Sequence, residues 1–178
     1  MKVVIIGGVA GGASAAARIR RLDESAQIVV FERSGYVSYA NCGLPYYIGG
    51  VIQNRELLTL QTPQSFNRRF AIDVRVHHEV TAIHRERKAV TVQNLETGAE
   101  FEETYDKLVL SPGARPIRPP MPGLDAKRLF TLRTVEDTLL IRDFVEREKP
   151  RRAVLAGGGF IGLEVAENLC EMGVDFAF

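Results

Sequence analysis

The sequence predicts an α/β fold built on a parallel sheet. Two observations carry it. A β-branched run, a glycine-rich turn and a small-residue helix follow one another at the N-terminus, and the same order returns from Arg152 onward. Between them, apolar and alternating runs bounded by turn residues supply further strands.

In the first unit, "KVVIIG" has the continuous apolar character of a parallel strand buried on both faces. "GGVAGG" is the turn. "ASAAARIRRL" reads as a helix with basic residues near its end, where cations favour the dipole. "AQIVVFE" is a second buried strand that closes on Glu32. This is a βαβ unit of the length that binds dinucleotides. Near the other end "RAVLAGGGFIGLEVAENLCEMG" repeats strand, turn and helix, and "VDFAF" begins the next strand. There Gly157, Gly159 and Gly162 complete GxGxxG. In the first copy Gly7 and Gly12 take the outer positions and Val9 the middle one.

The chemistry of a pyrophosphate explains these residues. The first glycine permits a tight turn, the second a close backbone approach, the third close packing of helix on strand. The helix N-terminus presents free N–H groups and a positive dipole end. Glu32 is placed to accept hydrogen bonds from ribose hydroxyls. The matching strand of the second copy reaches Phe178 without such a residue, so the group choosing NAD or NADP, and the rest of that domain, are expected further along a longer parent chain.

The middle of the chain is read more coarsely. "TPQSFNRR" starts a helix with Thr62 as cap and Pro63 first. "IDVRVHHEVTAIHRE" alternates like a strand. "KAVTVQNLETGAEFEETYDKLVLS" reads as two strands joined at "ETG", and together these suggest a β-meander beside the main sheet. "SPGARPIRPPMPGLD", residues 111–125, is the expected linker, and "TVEDTLLIRDFVERE" a helix capped by Thr134. The division is residues 1–114 as one domain and 115–178 as linker, helix and the start of a second.

Composition limits the partners. Lys and Arg number 23 against 22 Asp and Glu, so no net field draws the chain to nucleic acid or an anionic membrane. No run reaches the ~18–20 apolar residues of a membrane span. The glycine pairs interrupt the N-terminal apolar run, so a nucleotide turn explains it better than a signal peptide. Two distant cysteines, Cys42 and Cys170, suit a reducing, cytoplasmic setting. His77, His78 and His84 sit in a strand with no cysteine near, and neighbours 77 and 78 point to opposite faces, so no metal site is expected. Cys170 reads as a small buried hydrophobe. Cys42, in "SYANCGLPYY", is left by the residues alone as reactive thiol, disulfide half, metal ligand or core residue.

Two dinucleotide motifs, with a cysteine loop and an "LSPGA" turn after the first, resemble the flavoprotein pyridine nucleotide–disulfide oxidoreductases over essentially the whole chain. The resemblance implies a glutathione-reductase-like FAD-binding domain followed by an NAD(P)H-binding one. FAD is implied at Gly7, Gly8, Val9, Ala10, Gly11, Gly12, Glu32, Arg33, Asn41, Val80, Ser111 and Gly113. NAD(P)H is implied at Gly157, Gly159, Phe160, Ile161, Gly162 and Glu164. Tyr47 stands where a CxxxxC pair would have its second cysteine, so the chain is similar to the single-cysteine branch, and "SYANCGLPY" to its coenzyme A-disulfide reductases. Ala10 replaces the histidine that peroxidases and some oxidases carry. The resemblance implies Cys42 as the redox centre and Ser14, Arg18, Arg21, Ser38 and Asn41 as coenzyme A contacts. Arg18 stands where an uncharged amide can occur, and Phe70 where a lysine can bind phosphate. The expected activity is reduction of coenzyme A disulfide, a persulfide or a polysulfide by NAD(P)H, in a homodimer. The alternatives are an NADH oxidase working through a Cys42 sulfenate and a non-catalytic redox-sensing nucleotide-binding module.

Overall fold

The structure, a computed structural model, describes residues 1–178. In chain order its elements are β1 (Lys2–Ile6), α1 (Ala10–Leu22), β2 (Gln27–Phe31), α2 (Leu44–Ile48), α3 (Pro63–Phe70), β3 (Asp73–Arg75), β4 (His78–His84), β5 (Ala89–Asn94), β6 (Glu100–Thr104), β7 (Lys107–Leu110), α4 (Val135–Glu148), β8 (Arg152–Val154), α5 (Phe160–Glu171) and β9 (Asp175–Ala177). They form two compact units. Met1–Tyr39 and Thr59–Gly113 make one, and Ala40–Leu58 and Ala114–Phe178 the other. The cysteine segment therefore packs with the C-terminal part of the chain.

The first unit has three layers. Its centre is a parallel sheet in the order β3-β2-β1-β7. Side chains of a strand alternate between faces, and both faces here are apolar. Val3, Ile5, Ile28 and Val30 meet Ala16 of α1 and Phe66 of α3. Val4, Val29 and Phe31 meet Val90 and Val92 of the antiparallel sheet β4-β5-β6. That double burial is why the strands read as unbroken apolar runs. Polar bonds pin the second interface: Glu103 of β6 takes Lys2 and Arg75, and the Arg75 guanidinium lies 5.5 Å from the Phe31 ring centre. Burial pulls the Arg75 pKa down, but its bonds to Asp73 and Glu103 outweigh this and hold it above the ordinary value.

Two expectations are corrected. Residues 72–86 are not one strand. His77 adopts φ 55°, a left-handed conformation that turns the chain. Before it β3 pairs parallel with β2, and after it β4 pairs antiparallel with β5. Lys107–Leu110 also leaves the meander, because Asp106 N donates to Lys2 O and sets β7 parallel to β1.

In the second unit α2, α4 and α5 enclose Ile48, Val145 and Leu169, with Val174 from the chain that follows. β8 and β9 pair in parallel from Arg152 opposite Asp175. Thr134 caps α4 through a reciprocal box with Asp137, and Thr62 caps α3 with Ser65, as the Ser/Thr-x-x-acceptor pattern dictates.

Phe31 is 1% exposed and touches both the sheet interface and Arg75. Replacing it by alanine is expected to lower the unfolding free energy by about 3–5 kcal/mol, read from urea denaturation. A loss below ~1 kcal/mol would show that the two sheets do not depend on this contact.

Candidate functional site

At the first glycine turn the ends of three parallel strands meet. Gly7 N donates to Phe31 O and Ser111 N to Ile6 O, each at 2.8 Å. Gly7 has φ +96°, and a Cβ there would overlap the Ser111 carbonyl oxygen. A Cβ on Gly12 would overlap the Gly7 carbonyl oxygen, and one on Gly11 the Ser111 Oγ. The start of α1 therefore rests directly on the end of β1, which side chains at these positions would prevent. Val9 is the residue before α1, and its φ of −94° is negative, so this position does not need the left-handed backbone that Gly7 adopts.

The same geometry makes an anion cradle. No side chain caps α1 and no acid lies in its first turn. The first intrahelical bond runs from Ala13 N to Val9 O, so the N–H groups of Ala10, Gly11 and Gly12 have no helical acceptor. Glu32 is fixed beside the turn. Its Oε2 accepts from Gly8 N and its Oε1 from Ser34 N, both at 2.8 Å. A carboxylate has further lone pairs, so these bonds orient it and leave it able to accept hydroxyls. Arg33 is exposed and 3.4 Å from Glu79. Val80 lies opposite Val92 in the meander, and Gly113, φ +72°, closes the unit. These residues fit a dinucleotide whose phosphates meet backbone N–H groups and whose ribose meets Glu32.

The second turn repeats the contact. Gly157 has φ +117°, and a Cβ on Gly162 would overlap its carbonyl oxygen. Gly159 precedes α5 without a side-chain cap or an acid in the first turn. A Cβ on Gly158 or Gly159 would meet open space, so a ligand can approach that backbone. Phe160 and Ile161 are exposed, and the Glu164 carbonyl accepts from Asn168 Nδ2. Cys170, expected to be buried, is exposed. It lies on the outer side of α5, whereas Ala166 and Leu169 face inward.

Cys42 is a free, exposed thiol. It lies in a single 3₁₀ turn, Asn41–Gly43, closed by Gly43 N on Ala40 O at 2.9 Å and running straight into α2. Pro45 sits in the first turn of α2, where its missing N–H costs nothing. Tyr47, in the place of a second cysteine, is buried, with the Arg142 guanidinium 4.3 Å from its ring centre. Arg142 also donates to Tyr47 O and Ile52 O. Arg133 Nη1 donates to Asn41 Oδ1 at 2.8 Å. Neither arginine stood out in the sequence, since each acts 90 or more residues from its partner.

Ser14, Arg18 and Arg21 are exposed on one face of α1. Their neighbour Arg20 is committed to the fold, donating to Phe70 O, Ala71 O, Asp23 O and Glu24 O. Arg21 lines an open groove with Arg68, Arg69 and Phe70; from sequence the "NRR" cluster that holds these two further cations reads as solvated surface. Ser38, φ 47°, donates its N–H to Gly8 O and accepts from Leu60 N. Ser38 and the α1 residues thus belong to the first unit, Asn41 and Cys42 to the second.

A sequence profile described as pyridine nucleotide-disulphide oxidoreductase matches residues 1–177. A coenzyme A disulfide reductase of Staphylococcus epidermidis is 47% identical over 98% of this chain, which spans 39% of that protein's length. The crystal structure of reduced Bacillus anthracis CoADR-RHD matches with a TM-score of 0.96 and 53% identity, covering 98% of this chain and 32% of the other. An NAD-dependent persulfide reductase from A. fulgidus matches with a TM-score of 0.94 and 41% identity, over 99% and 33% respectively.

The glycine geometry has a direct test. Gly12→Ala is expected to destabilise the protein by more than about 2 kcal/mol, since a backbone oxygen blocks the new Cβ. Gly158→Ala, which meets open space, is expected to stay within about 0.5 kcal/mol. Equal effects in thermal melts would show that the Gly7–Gly12 contact is not what holds the first turn.

Proposed function

Because the chain belongs to the pyridine nucleotide-disulphide oxidoreductase family, we propose that its parent protein is an FAD-dependent reductase that uses NAD(P)H to reduce coenzyme A disulfide or a related persulfide or polysulfide, with Cys42 as its single redox-active cysteine. The observation that carries this reading is the exposed, unpaired Cys42 thiol presented by a turn whose would-be second cysteine is the buried Tyr47. Relatives named for coenzyme A disulfide and persulfide reduction support the substrate class.

The residues divide the work. Ala10, Gly11 and Gly12 hold the FAD pyrophosphate through backbone N–H groups, and Glu32 holds a ribose. Gly157, Gly159 and Gly162 serve the nicotinamide nucleotide in the same way. FAD, when bound, supplies a two-electron carrier between that nucleotide and sulfur. The Cys42 thiolate attacks one sulfur of the substrate disulfide, forming a mixed disulfide as the other sulfur leaves as a thiolate. This exchange has no net redox change. Two electrons from NAD(P)H then cleave the mixed disulfide, which restores the Cys42 thiolate and frees the second thiolate. Arg18 and Arg21, exposed on α1, are the proposed partners of the coenzyme A phosphates, and Ser14, Ser38 and Asn41 those of its polar groups.

The test is turnover of NAD(P)H with coenzyme A disulfide in the flavin-loaded protein. Cys42→Ser is expected to remove disulfide reduction, by at least about a thousandfold, while the visible flavin spectrum stays. Unchanged turnover in the serine variant would refute the role of Cys42. Turnover with oxygen but none with disulfide would replace this reading by an oxidase. No steady turnover with either acceptor would leave a binding module.

A further inference from the structure

The segment that carries Cys42 is held by Arg133, by α4 and by α5. Arg133 lies immediately before the α4 cap, its own N–H donating to Asp137 Oδ2 at 2.9 Å. Its Nη1 donates to Asn41 Oδ1 at 2.8 Å. One helical stretch further on, Arg142 of α4 holds Tyr47 O at 2.8 Å and Ile52 O at 3.2 Å. At the end of α2, Gly49 lies against the buried Asn168 side chain of α5, so closely that a Cβ on Gly49 would overlap it. The Arg142 and Gly49 contacts fix the backbone beyond the cysteine. The Arg133 bond alone reaches a side chain beside it.

That bond has a chemical consequence. A guanidinium has only donors, so the atom of Asn41 facing it has to be the carbonyl oxygen. The orientation of the amide is thereby set, and its NH₂ becomes the group available to a ligand. Asn41 and Arg133 are both half-buried, which strengthens a charge-assisted bond relative to one in open water. Without Arg133 the amide could rotate and present either end.

We propose that Arg133 is a positioning residue: it orients the Asn41 amide as a hydrogen-bond donor next to Cys42, matched to an acceptor atom of a thiol-bearing ligand such as coenzyme A. The proposal rests on the reading that Asn41 and Cys42 meet that ligand. Arg133 acts through Asn41 and takes no part in sulfur exchange.

The experiment is calorimetric titration of coenzyme A into the reduced, flavin-loaded protein, comparing the unmodified form with Arg133→Met, Arg133→Lys, Asn41→Ala and the double variant Arg133→Met/Asn41→Ala. Arg133→Met is expected to weaken binding about tenfold. Arg133→Lys, which keeps a cationic donor, is expected to bind with an affinity between the two. The double variant is expected to bind no more weakly than Asn41→Ala alone, the signature of residues that act as a unit. Unaltered affinity in Arg133→Met would overturn the proposal, as would a double variant whose loss is the product of the two single losses. Absence of coenzyme A binding in the unmodified protein would instead overturn the functional reading on which it stands.

Discussion

The contact of Gly12 on the carbonyl oxygen of Gly7 governs the first unit. It brings a helix start onto a strand end, and everything near it follows from that closeness. Ser111 at the end of β7 fits against Gly7 and Gly11. Phe31 and Ile6 accept the N–H groups of Gly7 and Ser111, so three strand ends are drawn to one point. Glu32, one residue past β2, reaches Gly8 N because that point is fixed. The reward of the arrangement is electrostatic: the helix start keeps N–H groups without helical acceptors, and no acid lies in its first turn.

The second glycine turn obeys the same geometry, with Gly162 on Gly157, but opens onto free space. Its helix α5 has another duty as well. Through Asn168 it presses on Gly49, at the far end of the short helix that follows Cys42. The thiol segment is thus built into the packing of the second unit, although it lies early in the sequence. The result is an exposed thiol on a segment whose backbone is tied to α4 and α5.

What could be read from the sequence was what is local. The β1-turn-α1-β2 pattern, the caps Thr62 and Thr134 and the glycine spacings each lie within a few residues of what they determine, so propensity and pattern suffice. The break at His77 was hidden because histidine rarely adopts positive φ and the alternation continues across it. The transfer of Lys107–Leu110 to the main sheet was hidden because pairing with Lys2–Ile6 is a choice between partners that a strand's own residues do not record. At the thiol site, Cys42 and Asn41 stood out by their setting. Arg133 and Arg142 did not, since an arginine before or within an amphipathic helix looks like ordinary solvated surface until the fold places a carbonyl against it. Cys170 misled for the converse reason: an apolar helix sequence does not say which side of the helix is covered.

The measurement that bears most directly on the account is the visible absorption spectrum of the purified protein, with any bound chromophore released by denaturation and identified. The expected result is the two absorption bands of an oxidised flavin and release of FAD at one molecule per chain. A colourless full-length protein, with apoprotein that fails to take up added FAD, would contradict the assignment of the first glycine turn and Glu32 as a flavin dinucleotide site.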